Sequence, residues 1–132
     1  MSEDIRNEVR KRYGRIAASQ SSCGCSSSCC GSSSAVDSGK ISSILGYKED
    51  EMASIPEGAN LGLGCGTPLT FSEIKEGEKV LDLGSGAGFD AFLAAKRVGK
   101  SGFVYGVDMT DEMLEMAAAN AKKGWFDNVS FL

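Results

Sequence analysis

Seven residues between positions 82 and 108 combine into one recognisable piece of chemistry. Asp82, the glycines Gly84, Gly86 and Gly88 with Ser85 among them, and Asp90 fall within nine consecutive positions, VLDLGSGAGFD being the surrounding run. Asp108 follows twenty positions after Gly88, with Met109 beside it. Glycines in such a loop let backbone approach a ligand closely, and an acidic residue at the end of a second strand is placed to accept ribose hydroxyls. The frame from Gly86 to Ala91 formally fits the dinucleotide pattern with Ala in last place. The charge beside the loop argues against that ligand, because Asp82 and Asp90 would repel a pyrophosphate. They suit a cation.

S-adenosylmethionine is a cofactor with the matching charges, an ammonium and a sulfonium. Asp82 is placed to accept from its amino group and the glycine amides to receive its carboxylate. Asp108 is placed to accept both ribose hydroxyls, and Met109 to pack on the adenine.

The thiols form a second group. Cys23-Gly24-Cys25 and Cys29-Cys30 place four within eight residues, and Cys65 stands apart among the glycines of NLGLGCGTP, residues 60–68. Clustered thiolates select soft, thiophilic species. A structural zinc site is one alternative, although the Cys-x-Cys and Cys-Cys separations depart from ordinary zinc modules; an inert serine-rich linker is another. The chain contains 0 His, so the commonest general base and metal ligand is missing and chemistry falls to Cys, Asp, Glu, Tyr or a cofactor.

These groups need elements to position them. Ile5, Val9, Tyr13 and Ile16 recur at helical spacing over residues 2–18, with acidic residues first and basic ones later. A stretch of Ser, Cys and Gly over residues 19–34 follows, with almost nothing to bury, and reads as a mobile surface loop. Short helices are expected over 38–45, 48–53 and 71–75. KVLDL at 79–83 reads as a buried strand, 84–88 as the glycine loop, and 89–98 as an alanine-rich helix closed by Gly99. FVYGVD at 103–108 is a second strand, 111–123 a helix N-capped by Thr110 and ended by Gly124, and 128–132 the start of a third strand. The alternation predicts an α/β fold: the N-terminal half of a Rossmann-like, doubly wound parallel sheet, preceded by a helix and a Cys/Ser-rich loop. Residues 1–70 would form the N-terminal part and 71–132 an incomplete cofactor-binding domain. Parallel sheets normally hold more strands than three, so the chain reads as truncated.

Composition bounds the partners. The 132 residues are 42% hydrophobic and 24% charged, with 14 Lys and Arg against 18 Asp and Glu and a net charge of -4. Nothing supplies the basic footprint that nucleic acid requires. No apolar run could span a bilayer and no apolar signal core opens the chain, so a soluble, cytoplasmic protein with reduced thiols is expected.

Residues 80–90 and GVDMTDEM at 106–113 resemble the first two cofactor motifs of class I S-adenosylmethionine-dependent methyltransferases. Together with VRKRYGRIA at 9–17, the Cys29-Cys30-Gly31 element and NLGLGCGTP, they are similar to arsenite S-adenosylmethionine methyltransferases of bacteria and archaea. That resemblance implies methyl transfer to trivalent arsenic in arsenic detoxification. Arsenite would be the small-molecule substrate, as a thiol conjugate, and a thiol reductant a further partner. It implies that Tyr13 and Gly14 help close over the cofactor, that Cys65 grips arsenic, and that Cys29 and Cys30 assist in capturing or reducing it. Family members complete the arsenic site with two further cysteines beyond the third strand, which these 132 residues do not contain. Methylation of another small molecule, or a non-catalytic thiol module holding a metalloid or metal, are the competing readings.

Overall fold

The computed structural model describes residues 3–20, 43, 46–56, 58–61, 69 and 72–132. Seven elements follow in chain order: α1 (Glu3–Gln20), α2 (Glu49–Ala53), β1 (Lys79–Leu83), α3 (Phe89–Val98), β2 (Phe103–Val107), α4 (Asp111–Lys123) and β3 (Val129–Phe131). The strands form one parallel sheet in the order β1-β2-β3. Each parallel neighbour is reached through a helix, as a parallel connection requires.

Register explains the two faces of the sheet. Val80 pairs with Val104 and Asp82 with Gly106, while Val104 pairs in turn with Val129 and Gly106 with Phe131. Val80, Val104, Val129 and Phe131 pack against Ala91, Leu93, Ala94, Ala95 and Val98 of α3. Phe92, fully buried, meets Phe126 at 4.8 Å and Phe131 at 5.6 Å between ring centroids. Six of the ten residues of α3 are buried, because Tyr47, Met52, Ile55 and Leu69 cover the side that the sheet does not.

The opposite face differs. Leu81 is 60% exposed and Leu83 75%, with Tyr105 at 38% beside them. KVLDL is therefore a strand, as expected, but alternate residues only are covered, since α3 and α4 both contribute to the core on the Val104 side.

Three further local expectations are corrected. Residues 72–75 are not helical: Lys75 donates its N–H to the Glu78 carboxylate in a local turn, and Gly77 just beyond donates to the Val98 carbonyl at 2.8 Å, anchoring the turn to the end of α3. Thr110 stands at the N-cap of α4, yet its hydroxyl makes no capping bond; the carboxylate of Asp108 receives the Thr110 N–H instead, at 2.9 Å. The apolar spacing of α1 does not mark its packed face. Ile5, Val9 and Tyr13 are exposed, and the small residues Gly14 and Ala17 are buried instead, Ala17 against Ala87 and Met113. The helix expected over 38–45 lies outside the described residues except at Ser43, and so does the serine-rich stretch beyond Gln20.

Candidate cofactor site

The glycine loop leaves β1 and enters α3, so one connection carries both its shape and its partners. Gly84, Gly86 and Gly88 have φ of 77°, 52° and 95°, the left-handed region that side chains disfavour. The three differ in what surrounds them. A Cβ at Gly88 would stand 2.7 Å from Phe92, whereas at Gly84 and Gly86 it would meet nothing within 4 Å. Gly88 is thus a packing position, while the other two border open space that a ligand can enter.

The loop's amides are already used. Gly84 and Ser85 donate to the Val107 carbonyl at 2.7 and 3.0 Å, Gly88 to Ser85, and Gly86 to Asp108 Oδ2 at 3.0 Å. These four groups stiffen the loop against β2, so the glycines offer close approach, and the expected donation of their amides to a ligand carboxylate does not fit this arrangement. Ser85 is buried at 8% exposure, and a Cβ on Gly106 would meet its hydroxyl at 2.9 Å; its side chain sits against β2.

Three carboxylates share the site. Asp108 accepts from Gly86 on one oxygen and from Thr110 on the other, which leaves lone pairs on both for further donors. Asp90, in the first turn of α3, accepts the Tyr47 hydroxyl at 2.6 Å. Asp82 Oδ2 is buried and has no hydrogen-bond partner among the described residues. Burial, reinforced by the charges of Asp90 and Asp108, pushes Asp82 up to about 6. Burial also raises Asp90, and its bond from Tyr47 opposes that rise. A buried, unpaired carboxylate under two like charges is a site that a cation would relieve.

Several supporting residues were not singled out by their sequence. Tyr47 is buried, stacks edge-on against Phe89 at 4.6 Å and reaches Asp90. Asn120, 2% exposed, donates to the Ala87 carbonyl inside the glycine loop at 3.3 Å. It occupies the core spacing of α4 with Met113, Ala117 and Ala121, and a polar residue at that spacing is a readable signal. At the far end of α3, Arg97 binds Glu51 at 3.2 Å and the Leu69 carbonyl. Tyr47 is therefore tied to the first turn of α3, and Glu51 and Leu69 to its last.

Tyr13 is 39% exposed and Met109 46%, both open at the surface. Gly14 lies where α1 meets the first turn of α4: a Cβ there would stand 3.0 Å from the Glu112 carboxylate. Cys23, Cys25, Cys29, Cys30 and Cys65 lie outside the described residues. Among the described residues no cluster of three or more Cys, Asp or Glu is arranged to hold a metal ion, and no helix is long and apolar enough to cross a membrane.

The donor set suits S-adenosylmethionine. Asp82 offers an orphaned carboxylate to an ammonium, Asp108 offers free acceptor capacity to two hydroxyls, and Gly84 and Gly86 leave room between them. Residues 74–132 match a family described as a methyltransferase domain. Parallel sheet, glycine loop and acidic second-strand end define the class: residues 74–132 have the fold of the class I S-adenosylmethionine-dependent methyltransferases, with S-adenosylmethionine as cofactor.

Within that class its sequence corresponds to the N-terminal part of arsenite methyltransferases. It is 47% identical over 137 residues to the arsenite methyltransferase of Halobacterium salinarum, covering 98% of this chain and 34% of that one. It is 36% identical over 132 residues to the arsenite methyltransferase of Aquipseudomonas alcaligenes, covering 96% and 35%. Among solved structures, an arsenic(III) S-adenosylmethionine methyltransferase from Chlamydomonas reinhardtii matches with 34% identity and a TM-score of 0.46, over 69% of this chain and 30% of that one. The chain spans about a third of the length of the curated relatives it matches.

Proposed function

We propose that this chain is the cofactor-holding part of an enzyme that transfers a methyl group from S-adenosylmethionine to trivalent arsenic. The observation that carries the reading is the extent of similarity: it covers 98% of the chain, including the region before residue 74 that the general methyltransferase domain leaves unmatched.

When bound, S-adenosylmethionine supplies an electrophilic methyl on its sulfonium. Asp82 receives the ammonium and loses its desolvation penalty in doing so, while Asp108 accepts the ribose hydroxyls and Met109 covers the adenine. Tyr13, carried on α1, closes the site from the α4 side, with Gly14 allowing the two helices to approach. Cys65 would ligate arsenic and present it to the methyl group, with Cys29 and Cys30 acting in capture or reduction. An attacking lone pair carries no proton, so the reaction asks no general base of a chain with 0 His. Arsenite reaches the site as a thiol conjugate, and a thiol reductant returns arsenic to the trivalent state after each transfer.

The test is methyl transfer by the complete gene product to arsenite and, in parallel, to oxygen and nitrogen acceptors. Arsenite is expected to be methylated, and Cys65→Ser to slow that transfer by about a hundredfold through misplacement of the acceptor. Transfer to an oxygen or nitrogen acceptor with none to arsenite would overturn the reading.

A further inference from the structure

Tyr47 connects the N-terminal region to the charge of the cofactor site. Its ring is buried edge-on against Phe89, and its hydroxyl donates to Asp90 Oδ1 at 2.6 Å, the length of a charge-assisted bond from a hydroxyl to a carboxylate. Asp90 belongs to the first turn of α3, directly after the glycine loop, and its charge bears on Asp82 at the end of β1. The cluster thus draws on three parts of the chain, and Tyr47 is the one member that comes from outside the sheet and its helices.

We propose that Tyr47 is a positioning residue of the cofactor site: by donating to Asp90 it fixes that carboxylate beside Asp82, so that the two face the cofactor's ammonium as one anionic surface. This rests on the cofactor reading of the loop and is independent of arsenic. Without the phenol, burial acts on Asp90 unopposed and favours its protonated form. The pair would then carry less negative charge, and carry it only at higher pH. Tyr47 itself stays neutral, since burial and the charges of Asp90, Asp82 and Glu51 all raise its titration. Among the described residues the remaining charged neighbours are Asp108, held by Gly86 and Thr110, and Arg97, which faces Glu51 at the other end of α3. Neither supplies Asp90 with a substitute donor.

Calorimetric titration of S-adenosylmethionine into the complete gene product, without arsenite, tests this. Tyr47→Phe keeps the ring against Phe89 and removes the hydroxyl alone. It is expected to weaken binding about fivefold near pH 6 and less than about twofold near pH 8.5, moving the acid limb of the affinity profile to higher pH. In an Asp90→Asn background the same substitution should leave the profile unmoved, because the carboxylate it acts on is gone. Identical profiles for Tyr47→Phe and the parent, or an equal loss at every pH, would overturn the proposal. An Asp90→Asn protein that still responds to Tyr47→Phe would overturn it too. Failure of the parent protein itself to bind would overturn the cofactor reading on which the proposal depends.

Discussion

Residues 72–132 and the described residues among 3–61 are held by different means. In the first stretch a sheet and two helices share a core of aromatic and branched side chains, with Phe92, Val98, Val104 and Met113 fully buried. In the second, α1 touches α4 through Gly14 and Ala17, whereas the neighbourhood of α2 joins the core beside α3 with Tyr47, Met52 and Ile55 and is tied there by the Tyr47 hydroxyl and the Arg97 guanidinium. Large apolar contacts make a fold, whereas small residues let a helix such as α1 lie against it. The family match reflects the same division. Residues 74–132 answer to a general methyltransferase domain, and similarity to arsenite methyltransferases extends to the region before them, α1 included.

The largest expected effect would break that contrast. Phe92→Ala removes a ring packed between Phe126 and Phe131 and should cost about 3–5 kcal/mol, whereas Ile5→Ala, at a side chain already 51% exposed, should change stability by less than about 0.5 kcal/mol. Denaturant unfolding of both variants decides it. Comparable losses would mean that α1 belongs to the main core.

This contrast also separates what could be read in the sequence from what could not. The strands, the glycine loop and α3 and α4 were legible because alternation, helical spacing and terminal glycines all act over a few residues. Where tertiary contact decides, local pattern misleads. The stripe Ile5, Val9, Tyr13 looked like the buried face of α1, yet the partner helix accepts only Gly14 and Ala17. Gly124 did end α4, but Trp125 takes the left-handed φ of 56°, and glycine is required at 124 because a Cβ there would meet Pro56 at 2.5 Å. Asp82, Asp90 and Asp108 were legible as an anionic group; the partner that restrains Asp90 was not, because Tyr47 lies 43 positions away and no periodicity links them.

A second effect, of intermediate size, sets stability against binding inside the cofactor site. Because burial lifts Asp82 from its ordinary 3.8 to about 6, folding disfavours its charged form. Its contribution to stability is full below about pH 3.8 and is lost as pH rises through about 6. Asp82→Asn should therefore stabilise the ligand-free protein at neutral pH by about 1–2 kcal/mol, allowing for solvent screening of a half-buried group. The same change should weaken S-adenosylmethionine binding, since a neutral amide cannot pair with an ammonium. Thermal unfolding with and without cofactor reads both signs, and a variant less stable than the parent in the absence of cofactor would show that Asp82 is already paired.

The smallest effect sharpens the role of α1. Gly14 sits within a helix where its φ demands nothing, so its reason is the neighbour: a Cβ would stand 3.0 Å from the carboxylate of Glu112. Gly14→Ala gains helix preference of about 0.5–1 kcal/mol. It loses part of that by displacing Glu112, whose end can swing aside because it is the flexible tip of an exposed side chain. The net change in stability should lie within about 0.5 kcal/mol, and cofactor affinity should fall by less than about 1 kcal/mol, as expected when a spacer between helices is slightly thickened. Gly14→Leu cannot be absorbed by Glu112 alone and should lower affinity further while leaving the unfolding of the Phe92 core unchanged. If the alanine variant instead lost affinity as strongly as an Asp108→Ala protein, Gly14 would have to touch the cofactor itself, and α1 would be part of the binding surface and not a cover laid over it.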